Sequence, residues 1–123
     1  MQQIFLVFIG GGVGSALRYI IGLKLNQETI PYGTLTVNFL GSLLIGLLMG
    51  YYLKTANHTL TENQIAFMAV GVFGGFTTFS SFMYENLQFL FNEQYFRFVG
   101  YTILSLSLGF LAVFLGFLWG KNI

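Results

Sequence analysis

The sequence predicts an all-α membrane protein with four transmembrane helices in a single domain covering residues 1–123. Of its 123 residues, 55% are hydrophobic and only 7% are charged, whereas a soluble domain carries roughly a quarter charged residues. The apolar residues fall into four stretches, each long enough for the about 20 residues that cross a membrane as a helix. These stretches do not alternate polar and apolar residues, so we expect helices and not barrel strands.

The four stretches cover residues 3–23, 33–53, 65–91 and 98–119, and the joints between them hold most of the polar residues. Pro31 lies in the first joint, where it breaks no helix. The first stretch has no positively charged segment before it and carries Arg18 inside it. We therefore expect a retained helix and not a cleaved signal peptide.

The few basic residues are shared almost evenly between the two sides of the membrane. With four spans, Lys54 and Lys121 lie on one side, and Lys24 and Arg97 lie on the other, with Arg18 near that second interface. Orientation normally follows an excess of Lys and Arg in the cytoplasmic loops. Either a partner or weak cues set the orientation, or the chain inserts both ways round.

Groups for catalysis are nearly absent, which predicts that the protein is not an enzyme. The chain has no Cys and no Asp, and its one His58 lies in a polar joint. The four Glu residues are scattered, with no pair at the spacing of metal ligands. Only Glu85 approaches the interior of a span, where we expect it to pair with Arg18 or to cap a broken helix segment. A net charge of +1 offers no basic face for nucleic acid.

The third stretch contains an unusual segment, residues 71–82, that predicts a break in its helix. Gly74-Gly75 is followed by Thr77, Thr78, Ser80 and Ser81 in mid-span. Glycine weakens a helix, and Ser and Thr compete for backbone hydrogen bonds. A break at membrane depth survives only where it is buried in protein or lines a cavity, as in transporters whose free carbonyls face ions. A kinked packing helix is the alternative.

The second stretch places Thr34, Asn38, Ser42, Gly46 and Gly50 on one helix face, because they recur every four residues. Close helix packing explains the two glycines. It does not explain Asn38, since an amide inside a span is costly unless it is paired or faces water.

Two further patterns indicate an ion path. Phe79 and Phe82 share a helix face, and the positive ring edges of phenylalanine favour an anion without a formal cation. In the fourth stretch, Tyr101, Ser105 and Gly109 recur every four residues, and a track of hydroxyls replaces part of an ion's hydration shell. The alternatives are lipid-facing rings and hydroxyls bonded to their own helix.

The first stretch has a cluster of glycines, which predicts a flexible or tightly packed patch. Arg18 follows this cluster, and three roles are open for it: reaching the interface, anchoring a loop carbonyl, or concentrating anions at a pore mouth. A nucleotide-binding glycine loop is excluded, because no strand or soluble fold surrounds it.

These residues together closely resemble the bacterial fluoride channels, the Fluc or CrcB family, over nearly the whole chain. The most specific part of the match is the segment 74–82. The remaining matching residues are Gly10, Gly11, Gly14, Arg18, Tyr19, Gly33, Thr34, Leu35, Val37, Asn38, Gly41 and Glu85. Ser15, Ser81 and Gly109 depart from the family pattern, and Gly109 stands where another hydroxyl is expected.

The resemblance implies a passive fluoride channel in the plasma membrane, built as an antiparallel, dual-topology homodimer with the third helix broken at mid-membrane. Two fluoride pores would run along the dimer interface and lower cytoplasmic fluoride. The carbonyls of Gly74 and Thr77 would hold a structural sodium ion at the dimer centre, and Arg18 would lie in the vestibule. The expected pore residues are Phe79, Phe82, Asn38, Thr34, Ser80, Ser81, Tyr101 and Ser105.

Two other functions remain as alternatives. A small proton-coupled multidrug exporter has the same size and dimer topology, but it relies on a Glu in the first helix, and residues 3–23 contain no acidic residue. A non-transporting subunit of a larger assembly fits the small-residue stripe but does not fit the polar side chains in mid-span.

Overall fold

The computed structural model describes residues 1–27, 29–54 and 60–123, and this part of the chain is helical apart from short connections. The helices are α1 (Gln2–Leu25), α2 (Tyr32–Lys54), α3 (residues 62–76), α4 (Phe79–Phe91) and α5 (Tyr95–Asn122). Counting α3 and α4 as one span, four helices are long and apolar enough to cross a membrane. The predicted four-span architecture is confirmed. His58 lies outside the described residues.

The connection between α1 and α2 is tied by a side chain. Asn26 follows α1 directly, and its Oδ1 accepts a hydrogen bond from the Thr34 N–H at 3.2 Å. An amide oxygen in this place satisfies one of the free N–H groups at the start of α2. Pro31 precedes the helix, and its carbonyl accepts the first helical bond from Leu35.

The third span changes geometry along its length. It begins at Thr61, whose side chain forms a capping box with Gln64. Residues Ala66–Phe73 then adopt a wide π-helical geometry, which is rare over more than one turn. At Thr77 and Thr78 the backbone becomes extended, and α4 begins at Phe79. The predicted interruption of the helix therefore lies at two threonines.

Helix α1 packs against α3 through glycines, and residue numbers rise together along the contact, so the two helices run parallel. A Cβ on Gly10 would lie 2.6 Å from the Phe67 carbonyl oxygen, and a Cβ on Gly14 would lie 2.7 Å from the Phe76 nitrogen. The glycine cluster is therefore a tightly packed patch at these positions. At Gly12, by contrast, no atom of another described helix lies within 4 Å of the Cβ position.

Helices α2 and α5 form a second parallel pair. Gly46 and Gly50 of α2 meet the backbone at Val113 and Phe117 of α5. In return, Gly116 and Gly120 of α5 meet the backbone of α2. Small residues on both sides let the backbones approach closely, as in membrane helix pairs. The contact fixes the register of α2 against α5 and thereby the relative positions of their polar side chains.

We expect Gly14→Ala to destabilise the protein, because the added methyl group would meet the α3 backbone, which has no flexible end that moves aside. Overpacking of this kind costs about 1–3 kcal/mol. The thermal unfolding midpoint in detergent measures the effect. Gly12→Ala, in the same helix with open space around the added methyl, is the matched control. Equal midpoints for the two variants would show that the contact does not hold α1 to α3.

Candidate functional site

The interruption of the third span is held by one amide side chain from α2. Asn38 Nδ2 donates to the Thr78 carbonyl oxygen at 2.9 Å, and Asn38 Oδ1 accepts from the Thr78 N–H at 2.7 Å. Both backbone polar groups of this extended residue are thereby satisfied, as buried backbone groups require. Because an amide nitrogen carries two hydrogens, Asn38 retains one further donor.

The carbonyls of Gly74 and Thr77 lose their usual helical donors at the break. In a continuous α-helix, the N–H of Thr78 would bond to the carbonyl of Gly74, and the N–H of Ser81 would bond to the carbonyl of Thr77. Instead, the Thr78 N–H bonds to Asn38, and the Ser81 N–H bonds to Thr78 Oγ1 at 3.1 Å. These are the two carbonyls for which the family resemblance implies a bound cation.

A third carbonyl at the break is bound by Arg18. Its Nε donates to the Gly75 carbonyl oxygen at 3.0 Å, and Ser15 Oγ lies 3.4 Å from the same oxygen. Of the three roles open for Arg18, anchoring a carbonyl is therefore observed. A terminal nitrogen of the guanidinium also donates to Ser15 Oγ at 3.5 Å, and Arg18 lines a cavity beside the break.

Glu85 has different partners from those expected. Its Oε1 accepts a hydrogen bond from Thr34 Oγ1, and its Oε2 accepts from the Tyr101 hydroxyl at 2.7 Å. Within the described residues it forms no ion pair with Arg18, and the cap of α4 is Thr78, so both expectations for Glu85 were wrong. Glu85 of α4 is thereby bonded to α2 and α5. Hydroxyl groups of these two helices lie closer to the carboxylate than the Arg18 guanidinium does.

Two cavities flank the break, and Thr78 borders both. The larger, of about 440 Å³, lies between α2, α3, α4 and α5 and is bordered by Asn38, Ser42, Thr77, Phe82, Ser105 and Gly109, among others. The smaller, of about 280 Å³, holds Arg18, Thr34, Ser81 and Glu85 in its wall. Polar groups of the break thus face space on both sides.

The two phenylalanines take different positions. Phe82 is buried, while Phe79 is 69% exposed on the surface of the chain, and their ring centroids lie 6.0 Å apart. Phe82 also packs against the Tyr101 ring at 5.3 Å. The rings therefore form a short aromatic row that begins at the chain surface, beside the larger cavity, and reaches Tyr101.

The remaining polar positions separate into those at the cavities and those away from them. Ser105 Oγ is buried at the larger cavity with no hydrogen-bond partner in the described chain, whereas Ser107 is exposed outside both cavities. Ser80 is exposed near the start of α4, where its hydroxyl lies 3.3 Å from Thr78 Oγ1. Buried Asn86 accepts from Thr102, but its Nδ2 has no partner among the described residues.

Fold and site together define a small multi-pass membrane protein with an interrupted helix between two polar cavities. The family model described as "CrcB-like protein, Camphor Resistance (CrcB)" matches residues 5–117. The chain belongs to this family.

Several relatives named fluoride-specific ion channel FluC align over almost their whole length. The relative from Gloeothece citriformis is 46% identical over 120 residues, which is 94% of each chain. The relative from Thermus thermophilus is 42% identical over 98% of this chain and 96% of its own. A third, from Flavobacterium psychrophilum, is 40% identical over the full length of both chains. Resemblance to the family, predicted from the motifs, is confirmed.

We expect Asn38→Ala to destabilise the fold, because it leaves the Thr78 N–H and carbonyl unpaired in a buried place. Each lost partner of this kind costs about 1–3 kcal/mol. The thermal midpoint in detergent measures the loss. Asn122→Ala is the matched control, since the Asn122 amide also donates to a backbone carbonyl but lies exposed at the end of α5. An unchanged midpoint for Asn38→Ala would mean that the break holds its shape without the amide.

Proposed function

We propose that the protein is a fluoride-selective channel that lets fluoride leave the cell passively across the plasma membrane. The proposal rests on the relatives, which bear that function in their names at up to 46% identity. The observation within this chain that carries it is the interrupted third helix, whose polar groups face two cavities. The protein is a channel and not an enzyme, and by passing fluoride outward it lowers the cytoplasmic concentration of a toxic ion.

Selection of fluoride follows from the groups around the break. Fluoride is small and strongly hydrated, so its water must be replaced by close hydrogen-bond donors when it enters a narrow path. The larger cavity offers hydroxyl and amide donors beside ring edges, which carry partial positive charge. No lysine or arginine lies in its wall, so these neutral groups, and not a fixed cation, must favour the anion there.

Each pore residue has an assigned role in this mechanism. The second N–H of Asn38 and the hydroxyl of Ser105 donate to fluoride, while Phe79 and Phe82 present ring edges. Arg18 raises the anion concentration in the vestibule beside the smaller cavity. The proposed path is completed by the hydroxyl groups of Thr34, Ser80, Ser81 and Tyr101.

The channel is proposed to be an antiparallel, dual-topology homodimer with the break at mid-membrane and two pores along the interface. The nearly even distribution of basic residues supports insertion in both orientations. The exposure of Phe79 supports a second copy at this face, because a ring that lines a pore must be enclosed by protein. Reporter fusions at the C-terminus should be active on both sides of the membrane; a single side would contradict the antiparallel dimer.

A structural sodium ion is proposed at the dimer centre, held by the carbonyls of Gly74 and Thr77 from both subunits. The donor set fits, since carbonyls freed at a helix break suit a hard cation, and Gly74 is exposed on the surface of the chain. Bound sodium would join the two breaks and fix their carbonyls. Replacing sodium with N-methylglucamine should lower the thermal midpoint of the dimer. A midpoint independent of sodium would remove the ion from the proposal.

The exporter alternative is not favoured. Small multidrug exporters of this kind rely on a Glu in the first helix, and Gln2–Leu25 contains no acidic residue.

Fluoride efflux from liposomes tests the proposed function. Vesicles containing the purified protein and loaded with potassium fluoride should release fluoride to an external electrode when an ionophore dissipates the membrane potential. Phe79→Ile should lower the rate by up to about tenfold, because the ring edge is lost while a bulky apolar side chain remains.

Phe96→Ile is the matched control, since Phe96 is 92% exposed at the start of α5, away from both cavities. Its efflux should equal that of the unmodified protein. Release no faster than from empty vesicles would disprove the channel, and equal rates for all three proteins would remove Phe79 from the path.

A further inference from the structure

The larger cavity contains few hydrogen-bond donors that are still free. The Thr77 hydroxyl donates to the Phe73 carbonyl at 3.0 Å, and the Thr78 hydroxyl donates to Ser81 Oγ at 3.1 Å. Ser42 and Ser105 are the other hydroxyl residues in the wall, and neither side chain hydrogen-bonds to any described residue. With the second N–H of Asn38, these two hydroxyls are the donors that remain for a ligand.

The parallel register of α2 and α5 arranges these donors in successive levels. Gly46 of α2 meets Val113 of α5, and the Cβ position of Gly109 lies 3.8 Å from Ser42 Oγ. In both pairs the α2 residue and the α5 residue are separated by the same offset along the chain. That offset pairs Asn38 with Ser105 one turn earlier, about 5.4 Å along the helices. The first level therefore offers donors from both helices. At the second level, α5 offers none, because Gly109 has no side chain.

We propose that Ser42 is the hydrogen-bond donor to fluoride at the level of Gly109, so that the polar wall of the path crosses from α5 to α2. Ile45, Leu106 and Phe110 in the wall are apolar. Thr77, whose side chain packs at Gly41, already donates its hydroxyl to a backbone carbonyl. An anion there without a donor would bear a large desolvation cost. One turn further on, at Gly46 and Val113, the helix backbones meet. Ser42 is thus the last hydroxyl before the two helices close.

This inference deepens the proposed function and rests on it. The test compares fluoride efflux of Ser42→Ala, Gly109→Ser and the double variant in the liposome assay. Ser42→Ala should lower efflux by about five- to tenfold through loss of one donor. The double variant should recover to within about threefold of the unmodified protein, because a Cβ at residue 109 makes only an ordinary contact with Ser42 and places a hydroxyl at the same level.

Ser107→Ala is the matched control, since this exposed serine of α5 borders neither cavity, and its efflux should be unchanged. Should Ser42→Ala reduce the yield of folded protein, Ser42→Thr and Ser42→Val replace it, because their side chains have the same shape and differ in the hydroxyl. Retained efflux for Thr and lost efflux for Val would support the donor role.

Two results would overturn the inference while leaving the channel intact. One is efflux by Ser42→Ala, or by Ser42→Val, equal to that of the unmodified protein. The other is failure of Gly109→Ser to raise the efflux of Ser42→Ala, which would show that Ser42 acts through packing. An unmodified protein that releases no fluoride is a different result, since it would refute the proposed function itself.

Discussion

The pair of hydrogen bonds between the Asn38 amide and the Thr78 backbone is the constraint on which the rest of the site depends. Thr78 is an extended residue within a span, and these two bonds satisfy both its N–H and its carbonyl. Without such a partner, an extended residue would expose an N–H and a carbonyl to an apolar environment. The same pairing diverts the Thr78 N–H from the Gly74 carbonyl, while the Thr78 hydroxyl diverts the Ser81 N–H from the Thr77 carbonyl.

The site also depends on the register of α2 against α5, which the glycine contacts fix. Gly46 and Gly50 bring the α2 backbone against α5. Polar side chains on the facing sides of the two helices are therefore held at fixed positions relative to each other. Thr34 and Tyr101 meet at Glu85 by this geometry. A fixed register matters in a membrane, where helices are not held together by exclusion of water from apolar side chains, so close packing must set their positions.

Sequence reasoning captured the architecture and the location of the break but not the partners of the polar groups. Composition and the length of the apolar stretches determine the four spans, and two glycines followed by two threonines indicate where a helix fails. The amide of Asn38 bonds a residue 40 positions away, and the carboxylate of Glu85 accepts from a residue 51 positions away. Such partners depend on helix register, which one sequence does not reveal. The π-helical segment Ala66–Phe73 likewise had no signal in residue type.

In the proposed channel, the bond from Arg18 to the Gly75 carbonyl would affect how long an anion stays near the break. A free guanidinium is a strong, bidentate ligand for anions, and a path that binds its ion too tightly conducts slowly. Here the Nε–H already donates to a backbone oxygen, and a terminal nitrogen donates to Ser15 Oγ. Arg18 still contributes positive potential to the smaller cavity, yet it offers an arriving anion fewer simultaneous bonds. In the proposed channel, the bond to Gly75 would therefore shorten the time that an anion stays at Arg18.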